Sequence, residues 1–392
     1  MSPTLTTEQL VAQSEAIAST LTAHGSEAET LRRLPDASVA AMADAGLWRI
    51  LTPRTFGGWE AGLRAQVETL LVTAAAESAA GWVQMVINAH AWIVGSFSVE
   101  CQEEVWAGGP NTRFPGTLAS QGRARRVDGG WVVNGRWQFA SGVAHGDWLI
   151  MGSVVVNHSK GMPRGVHVVV PKADVMVDDT WFTIGLRGTG SCDLVATEMF
   201  VPDYRAMPTG ELFEGLSPHG ERHATHFNRL PVNVCLCTQL AAAVVGIATG
   251  GLDLHIEGTS TRAETYFGTP KRERVGAQTR IAESAAELDA ARMFVRAAAD
   301  RCDVVAATGI RLTTDERAQL KWHVTYATEL ARRATDRWYA GSGAHAVYND
   351  STAQARYRDV NTACHHAMAD FDGSAEMYGR FRLGLDPRTP LI

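Results

Sequence analysis

The sequence predicts a mainly α-helical protein with a central β domain. Hydrophobic residues recur at helical spacing up to about residue 112 and again after about residue 227, whereas the region between alternates with a period of two and contains tight turns. The 392 residues are 45% hydrophobic and 20% charged, which is typical of a globular chain of two or three domains. We predict an N-terminal helical domain over 1–112, a middle β domain over 113–205, a connecting loop over 206–226 and a C-terminal helical bundle over 227–392.

The most apolar part of the N-terminal region lies between residues 77 and 97. It contains Trp82, Ile87 and Trp92, with Asn88 and His90 among its few polar side chains. A helix that is apolar on most sides is buried on most sides. We therefore predict a helix here that lies inside the protein.

Turn residues in the middle region predict successive β-hairpins. Asp128-Gly129-Gly130 separates two strand-like runs, and Asn134-Gly135 follows shortly afterwards. Further strands are predicted at 148–156, 166–170 and 194–201. Gly185 to Ser191 has the glycine content of a phosphate-binding loop, but a strand-like run follows it where such a loop requires a helix. We interpret it as a tight loop that enters a strand.

Helical spacing returns in the C-terminal region and continues to its end. Ile281, Leu288 and Val295 share one face of a predicted helix, and Leu320 and Ala327 share a face of the next. Long amphipathic helices of this kind pack together as a bundle. The C-terminal region is also the expected oligomerisation domain.

Charge and cysteine content exclude several classes of protein. The net charge of −6 argues against a nucleic-acid groove or a polybasic membrane contact. The first ten residues do not have the pattern of a signal peptide, and the apolar run at 240–248 is shorter than a membrane span. Six cysteines without a C-x-x-C pair fit a reduced compartment. We therefore predict a cytoplasmic protein that binds neither nucleic acid nor membrane.

Two groups of histidines could carry chemistry. His219, His223 and His226 could converge on a metal, but no clear carboxylate or cysteine completes the group, so we interpret them as solvated loop residues and predict no metal. His365 and His366 follow each other on a predicted helix. Neighbours on a helix point about 100° apart, so at most one of the two faces a small site.

Four segments in order carry a family resemblance, and together they span about residues 10 to 385. They are Gly81-Trp82-Val83 with His90 and Trp92, the run 127–142, the loop 185–191 with Val201-Pro202, and Tyr357-Arg358-Asp359 with His366 and Gly379-Arg380. The set resembles the acyl-CoA dehydrogenase fold, with an N-terminal helical domain, a β-barrel-like middle domain and a C-terminal four-helix bundle. Within that fold it resembles the oxygenase components of two-component flavin-dependent monooxygenases, of the 4-hydroxyphenylacetate hydroxylase type.

The resemblance implies a reaction. A separate flavin reductase would supply reduced flavin, either FMNH2 or FADH2, and O2 would be the co-substrate. A flavin C4a-hydroperoxide would then transfer oxygen to a small aromatic, phenol-like substrate. The family precedent also implies a homotetramer.

The same resemblance leaves other activities open. These are an N-hydroxylase, a monooxygenase of indole or another heteroaromatic, and an acyl-CoA dehydrogenase relative; a non-catalytic helical assembly protein is a further alternative. Most dehydrogenases of the fold carry a glutamate where this chain has 363–367, a run without a carboxylate, and Glu257 is the remaining candidate for that base. The flavin motif is also altered, because Glu264 precedes Phe267-Gly268 and only Arg262 lies nearby, so FMN and FAD both stay open.

The resemblance also assigns roles to residues. Ser141 would bond flavin near N5, with Trp137 and Phe139 as walls beside the ring. His366 would be the base or hydrogen-bond partner, with His365 as the reserve, and His90 would be a catalytic residue near the substrate. Substrate-binding candidates are Trp82, Asn88, His90, Trp92 and His365. For Trp82, Asn88 and Trp92 a place in the helix core is an equally good interpretation.

Overall fold

The computed structural model describes residues 5–156, 162–217, 219, 223, 229–265 and 268–389. It has the predicted order of helices, β-sheet and helical bundle, so the predicted fold class is confirmed. The N-terminal helices are α1 (Thr7–Ala23), α2 (Gly25–Leu31), α3 (Asp36–Asp44), α4 (Leu63–Ala76), α5 (Ser78–Val94) and α6 (Val99–Val105).

The apolar segment at 77–97 forms helix α5 and is the centre of the N-terminal region. Every residue of α5 except Val86 is buried, as the sequence predicts. Glu77 caps the start of the helix, and its carboxylate accepts hydrogen bonds from the Ala79 and Ala80 backbone amides. An acidic cap satisfies free amides and interacts favourably with the positive end of the helix dipole.

The middle region forms one seven-stranded sheet in the order β5-β6-β2-β1-β3-β4-β7. Its strands are β1 (Gly116–Val127), β2 (Gly130–Ala140), β3 (Trp148–Val155), β4 (Gly165–Pro171), β5 (Met176–Asp178), β6 (Cys192–Pro202) and β7 (Ala206–Pro208). The predicted strands at 148–156, 166–170 and 194–201 are therefore confirmed. The run 185–191 is a loop that enters β6, also as predicted.

Only the first of the two predicted hairpin turns is a turn. Val127 pairs with Gly130 around Asp128-Gly129, so β1 and β2 form the predicted hairpin. Asn134-Gly135 instead lies inside β2, where the pairing with β6 shifts register. A Cβ on Gly135 would lie 2.8 Å from the Gly122 Cα, and its φ of +158° is unfavourable for other residues. The extra residue is on β6, so the Asn-Gly pair lies opposite a β-bulge, and the second hairpin prediction was wrong.

The predicted loop at 206–226 contains regular structure in its described part. Strand β7 pairs with β4 at the edge of the sheet, and helix α7 (Thr209–Glu214) follows it directly. Proline and glycine suggest a loop, but Pro208 lies at the end of an edge strand, where a missing amide is tolerated.

The C-terminal region is the predicted bundle. Its helices are α8 (Val232–Thr261), α9 (Val275–Thr308), α10 (Thr314–Gly341), α11 (Thr352–Ala363) and α12 (Phe371–Arg382). Leu288, Val295 and Ala327 are fully buried between them. Among the described helices, only α8 is long and apolar enough to cross a membrane, and 94% of its apolar window is buried inside the protein. Helix α8 is thus the inner helix of the bundle.

Candidate active site

The first turns of α5, the end of β2 and the chain after α11 meet at one place. The Trp82 indole Nε1 donates a hydrogen bond of 3.1 Å to the Ser141 hydroxyl. The Trp82 and His366 rings meet edge to face, with centroids 5.9 Å apart and planes inclined at 64°. Three residues from separate parts of the sequence, each predicted to serve the site, are therefore in one cluster.

The Ser141 hydroxyl belongs to a buried chain of hydroxyl groups. Ser141 Oγ lies 2.7 Å from Ser191 Oγ, and Ser191 Oγ lies 2.7 Å from Thr189 Oγ1. Thr189 in turn bonds the Leu186 carbonyl at 2.8 Å. Ser191 and Thr189 were not predicted as functional candidates, because they lie about 50 residues beyond Ser141 in the sequence. Their one signal was the glycine-rich loop of the family resemblance.

A buried ionic cluster holds this loop against α5. Asp359 accepts a 2.7 Å hydrogen bond from the Leu186 amide. Arg356 precedes Asp359 by almost one turn of α11. It donates hydrogen bonds to the carbonyls of Ala74 and Ala75 and to the Ser78 hydroxyl. The Arg-Asp motif thus connects the bundle to both the loop and the start of α5.

Burial dominates the electrostatics of this cluster. It raises the pKa of Glu77 to about 7, although the Arg356 guanidinium opposes that change. It also raises the pKa of Asp359 and lowers that of Arg356. Ionised groups held away from water depend on their partners, so the cluster tolerates loss of a member poorly.

Phe139 lies on the open side of the same site. Its side chain is 59% exposed, and the backbone has a φ of +70°, which is rare for a phenylalanine. The ring meets Trp181 edge to face at 6.1 Å, and the Trp181 indole donates to the Leu186 carbonyl. An unusual backbone at a functional candidate presents an accessible aromatic ring beside Ser141.

His366 presents a hydrogen-bond donor. Helix α11 ends at Ala363, so the prediction that 364–366 are helical was wrong; His366 instead precedes a short 3-10 helix at Ala367–Ala369. Its Nδ1 accepts a 3.1 Å hydrogen bond from the Met368 amide, which leaves the proton of the neutral ring on Nε2. The ring has an open edge, yet the surrounding protein and then Lys321 lower its pKa to about 4.

His365 points elsewhere. Its ring is exposed, and Nδ1 bonds the Asn361 carbonyl at 2.8 Å, one turn back on α11. A carbonyl only accepts, so this nitrogen is the protonated one. Of the two adjacent histidines, His366 is therefore the one that contacts Trp82.

His90 is further along α5, and its ring presents a hydrogen-bond acceptor where His366 presents a donor. It is eight residues beyond Trp82, about 12 Å along the helix axis. Its Nδ1 donates a 2.7 Å hydrogen bond to the Phe114 carbonyl, which leaves the lone pair on Nε2. Burial first, and the neighbouring His167 in addition, lower its pKa to about 4.

Three of the predicted flavin or substrate contacts are buried in the protein core. The Trp137 ring is fully buried in the core of the sheet, where its indole donates to the Gly152 carbonyl at 2.6 Å. It therefore has no free face for a flavin. Asn88 is also fully buried and bonds the backbone of Leu47 and Leu51, so it ties α5 to the preceding segment. Trp92 is buried in α5, 5% exposed.

The other histidines do not form a metal centre within the described ranges, in which no cluster of three suitable ligands occurs. His219 is exposed as predicted, whereas His223 is buried and bonds the Gln102 side chain at 2.9 Å, contrary to its interpretation as solvated. His226 and Phe267 lie outside the described residues. Glu257, the remaining candidate for a dehydrogenase base, is far from the site along α8. Cys237 of the same helix contacts the Met368 carbonyl beside His366, and Glu257 is twenty residues, or about 30 Å, further along the helix.

Comparisons with known proteins match the sequence and the fold of this chain. The family of acyl-CoA dehydrogenase C-terminal domains matches residues 238–371. The oxygenase subunit HsaA of a flavin-dependent monooxygenase from Rhodococcus jostii is 32% identical over 95% of this chain and 97% of its own length. The chain belongs to the flavin-dependent monooxygenase oxygenase subunits.

Two further relatives of this family are similar over nearly the whole chain. The oxygenase component of an FADH2-dependent resorcinol hydroxylase from a Rhizobium species is 28% identical over 97% of this chain and 95% of its own length. The structure of XiaF from a Streptomyces species, in complex with FADH2 and glycerol, has a TM-score of 0.89 and 28% identity, covering 98% of this chain and 97% of its own.

The site fits the reduced flavin that an oxygenase subunit of this family uses. Phe139 offers an accessible aromatic face, and Ser141 Oγ has one hydrogen-bonding position left after its bonds to Trp82 and Ser191. His366 offers an N–H on its open edge. A planar ring with both donor and acceptor atoms at its edge suits this combination.

Proposed function

We propose that this oxygenase subunit hydroxylates a small phenol-like aromatic with reduced flavin and O2. The observation that carries the proposal is the cluster of Trp82, Ser141 and His366 beside the accessible ring of Phe139. Relatives named as hydroxylases of resorcinol and of p-hydroxyphenylacetate support a phenol as the substrate. When bound, the flavin supplies the oxygen chemistry, and the chain supplies position, hydrogen bonds and a water-poor surface.

Ser141 and Phe139 are the proposed flavin contacts. Phe139 would lie along one side of the ring, and the Ser141 oxygen would bond near N5. Trp137 is left out of this role because its ring is enclosed by the sheet. Trp82 would fix the Ser141 oxygen through the indole bond and limit access of water from the α5 side.

His366 acts in this proposal as a neutral donor. A pKa of about 4 keeps the ring unprotonated at neutral pH, and the Met368 amide occupies its only lone pair. It therefore has no free site at which to accept a proton. Its Nε2–H can instead stabilise negative charge on an oxygen in the site, as preorganised donors do.

His90 is the proposed acceptor for the substrate hydroxyl. Its Nε2 lone pair remains after Nδ1–H bonds Phe114, and its pKa of about 4 also keeps it neutral. A hydrogen bond from the phenol O–H would increase electron density on the aromatic ring without a full proton transfer. Trp82 and Trp92, on either side of it in α5, are the proposed aromatic lining.

The partners follow from the reaction and from the surface. A separate flavin reductase would supply the reduced flavin, by diffusion or contact. Met293 of α9 is 70% exposed and Ile310 beyond it is 66% exposed, and burial of such side chains between subunits would fit a homotetramer. Six free cysteines support a reduced, cytoplasmic location.

Turnover with chemically defined flavins tests the proposal. The protein would receive photoreduced FMNH2 or FADH2 without any reductase, then ¹⁸O2 and a panel of phenols, indoles and amines. We expect one ¹⁸O atom in a hydroxylated phenol and little peroxide. Label only in an N-hydroxyl or an indole product would favour those alternatives, and peroxide alone with every substrate would contradict the proposed reaction.

A further inference from the structure

The direction of each hydrogen bond in the hydroxyl chain is fixed from one end. The Leu186 carbonyl can only accept, so the Thr189 hydroxyl proton points to it. A hydroxyl has a single proton, so Thr189 Oγ1 accepts from its other neighbour. The Ser191 hydroxyl therefore donates to Thr189.

The single proton of each hydroxyl also fixes the direction of the bond between Ser191 and Ser141. Since the Ser191 proton is used on Thr189, Ser191 Oγ must accept from Ser141. The Ser141 oxygen also accepts the Trp82 indole N–H. Its proton is thus committed, and what remains toward the open side is a lone pair.

We infer that Ser191, Thr189 and Trp82 are positioning residues that make Ser141 an acceptor toward flavin and so select the reduced flavin. In reduced flavin N5 carries a hydrogen, which an acceptor can bind. In oxidised flavin N5 presents a lone pair, which would face the Ser141 lone pair. The inference rests on the proposed function, because it needs flavin N5 beside Ser141.

The surroundings make this polarity costly to reverse. Ser141, Ser191 and Thr189 are 6%, 2% and 1% exposed, so water has little access to replace a lost bond. The Leu186 amide donates to Asp359, and the Leu186 carbonyl also accepts a hydrogen bond from the Trp181 indole. These two bonds hold the carbonyl at which the hydroxyl chain ends. A reversed chain would leave buried acceptors facing each other.

The site should therefore bind reduced flavin more tightly than oxidised flavin, and single substitutions should change this preference. In Ser191→Ala the Ser141 proton loses its acceptor and can turn toward the N5 of oxidised flavin. In Thr189→Val the Ser191 proton is released and can turn toward Ser141, which frees the Ser141 proton in the same way. Ser191→Thr retains a hydroxyl and should retain the preference.

The test is the ratio of two dissociation constants. Oxidised FMN and FAD would be titrated by fluorescence, and their dithionite-reduced forms anaerobically by absorbance, on the full chain. We expect Ser191→Ala and Thr189→Val to lower the ratio of oxidised to reduced Kd about tenfold, equivalent to one hydrogen bond. The two-electron midpoint potential of the bound flavin should fall by about 30 mV.

The outcomes separate the inference from the proposed function. Circular dichroism would first establish that each variant is folded. If Ser141→Ala weakens reduced-flavin binding but Ser191→Ala leaves the ratio unchanged, the positioning role is refuted and the flavin site stands. If Ser141→Ala changes neither Kd, flavin does not contact Ser141 and both proposals fail. A ratio that falls in Ser191→Ala and returns in Ser191→Thr supports the inference.

Discussion

The two ends of α5 hold their functional side chains by different means. At the start of the helix, Glu77 caps the backbone and Arg356 bonds the carbonyls at the end of α4, so buried charges fix the position of Trp82. At the far end, the neutral side chains of Asn88 and His90 bond the backbone of neighbouring segments. Loss of a buried ion leaves its partners uncompensated, whereas loss of a neutral group removes one modest bond. The start of α5 should therefore be sensitive in stability, and the far end mainly in activity.

Removal of Arg356 should have the largest effect. Arg356→Met leaves the buried carboxyls of Glu77 and Asp359 without the nearby cation, and it leaves the carbonyls of Ala74 and Ala75 without that donor. Loss of a buried cation of this kind costs about 3–5 kcal/mol. We expect the free energy of unfolding in urea to fall by that amount. Arg333→Met is the matched control, because the Arg333–Glu287 ion pair is about half exposed on the arginine side and should contribute less than about 1 kcal/mol. Equal losses in the two variants would contradict the contrast.

Ser141→Ala should have the next largest effect, on coupling rather than on folding. Without the oxygen that Trp82 and Ser191 hold, reduced flavin would be oxidised with release of peroxide. We expect hydroxylated product per flavin oxidised to fall about tenfold, in line with one lost hydrogen bond. Product by chromatography and peroxide by a peroxidase assay give the ratio.

Ser153→Ala is the control for that experiment. It removes a hydroxyl from the same sheet, and Ser153 Oγ is buried with no hydrogen-bond partner among the described residues. Its coupling should equal that of the wild type. Coupling in Ser141→Ala as high as in Ser153→Ala would remove Ser141 from the site.

His366→Ala should reduce coupling less, about fivefold, because the ring lies on the open side where water can partly replace a donor. Reduced flavin should still be oxidised. His366→Gln offers an amide N–H in place of Nε2–H and should recover part of the coupled product, which a base at this place would not explain. Unchanged coupling in His366→Ala would end the proposed role.

Sequence reasoning located the elements of this site better than the directions of its side chains. The apolar run gave helix α5, and the Asp128-Gly129 turn gave the β1–β2 hairpin, because both signals are local. Trp137 and Phe139 are two residues apart in β2, so their side chains should point to the same face of the sheet. Trp137 is nevertheless buried and Phe139 exposed. The backbone at Phe139 adopts a positive φ and the pairing with β6 shifts between Trp137 and Ala140, so simple alternation fails there.

Long-range contacts account for the rest of what the sequence could not predict. Ser191 and Asp359 reach the site only when β6 and α11 are packed. The role of each histidine depended on a single backbone partner, Met368 for His366 and Phe114 for His90. Spacing along the chain carries no information about which ring nitrogen such a partner occupies.

The smallest predicted effect is the pH dependence that His90 gives to the free energy of unfolding. His90 has a pKa of about 4 when folded and an ordinary value near 6.5 when unfolded, so between these values the folded protein binds fewer protons. Its contribution to stability is thus complete above pH 6.5 and is lost as the pH falls toward 4, at about 1.4 kcal/mol per pH unit. Buried His167, also at about 4, acts in the same direction, and Glu77, raised to about 7, acts in the opposite one.

Substitution isolates the His90 contribution from these other groups. In His90→Gln the slope of unfolding free energy against pH, measured in urea at pH 5, 5.5 and 6, should change by about 1 kcal/mol per unit toward stability at low pH. His366→Gln should change the slope in the same direction, because the pKa of the folded His366 ring is also about 4. Parallel curves for wild type and His90→Gln would mean that His90 is not held neutral, and the acceptor role proposed for its Nε2 would then fail with it.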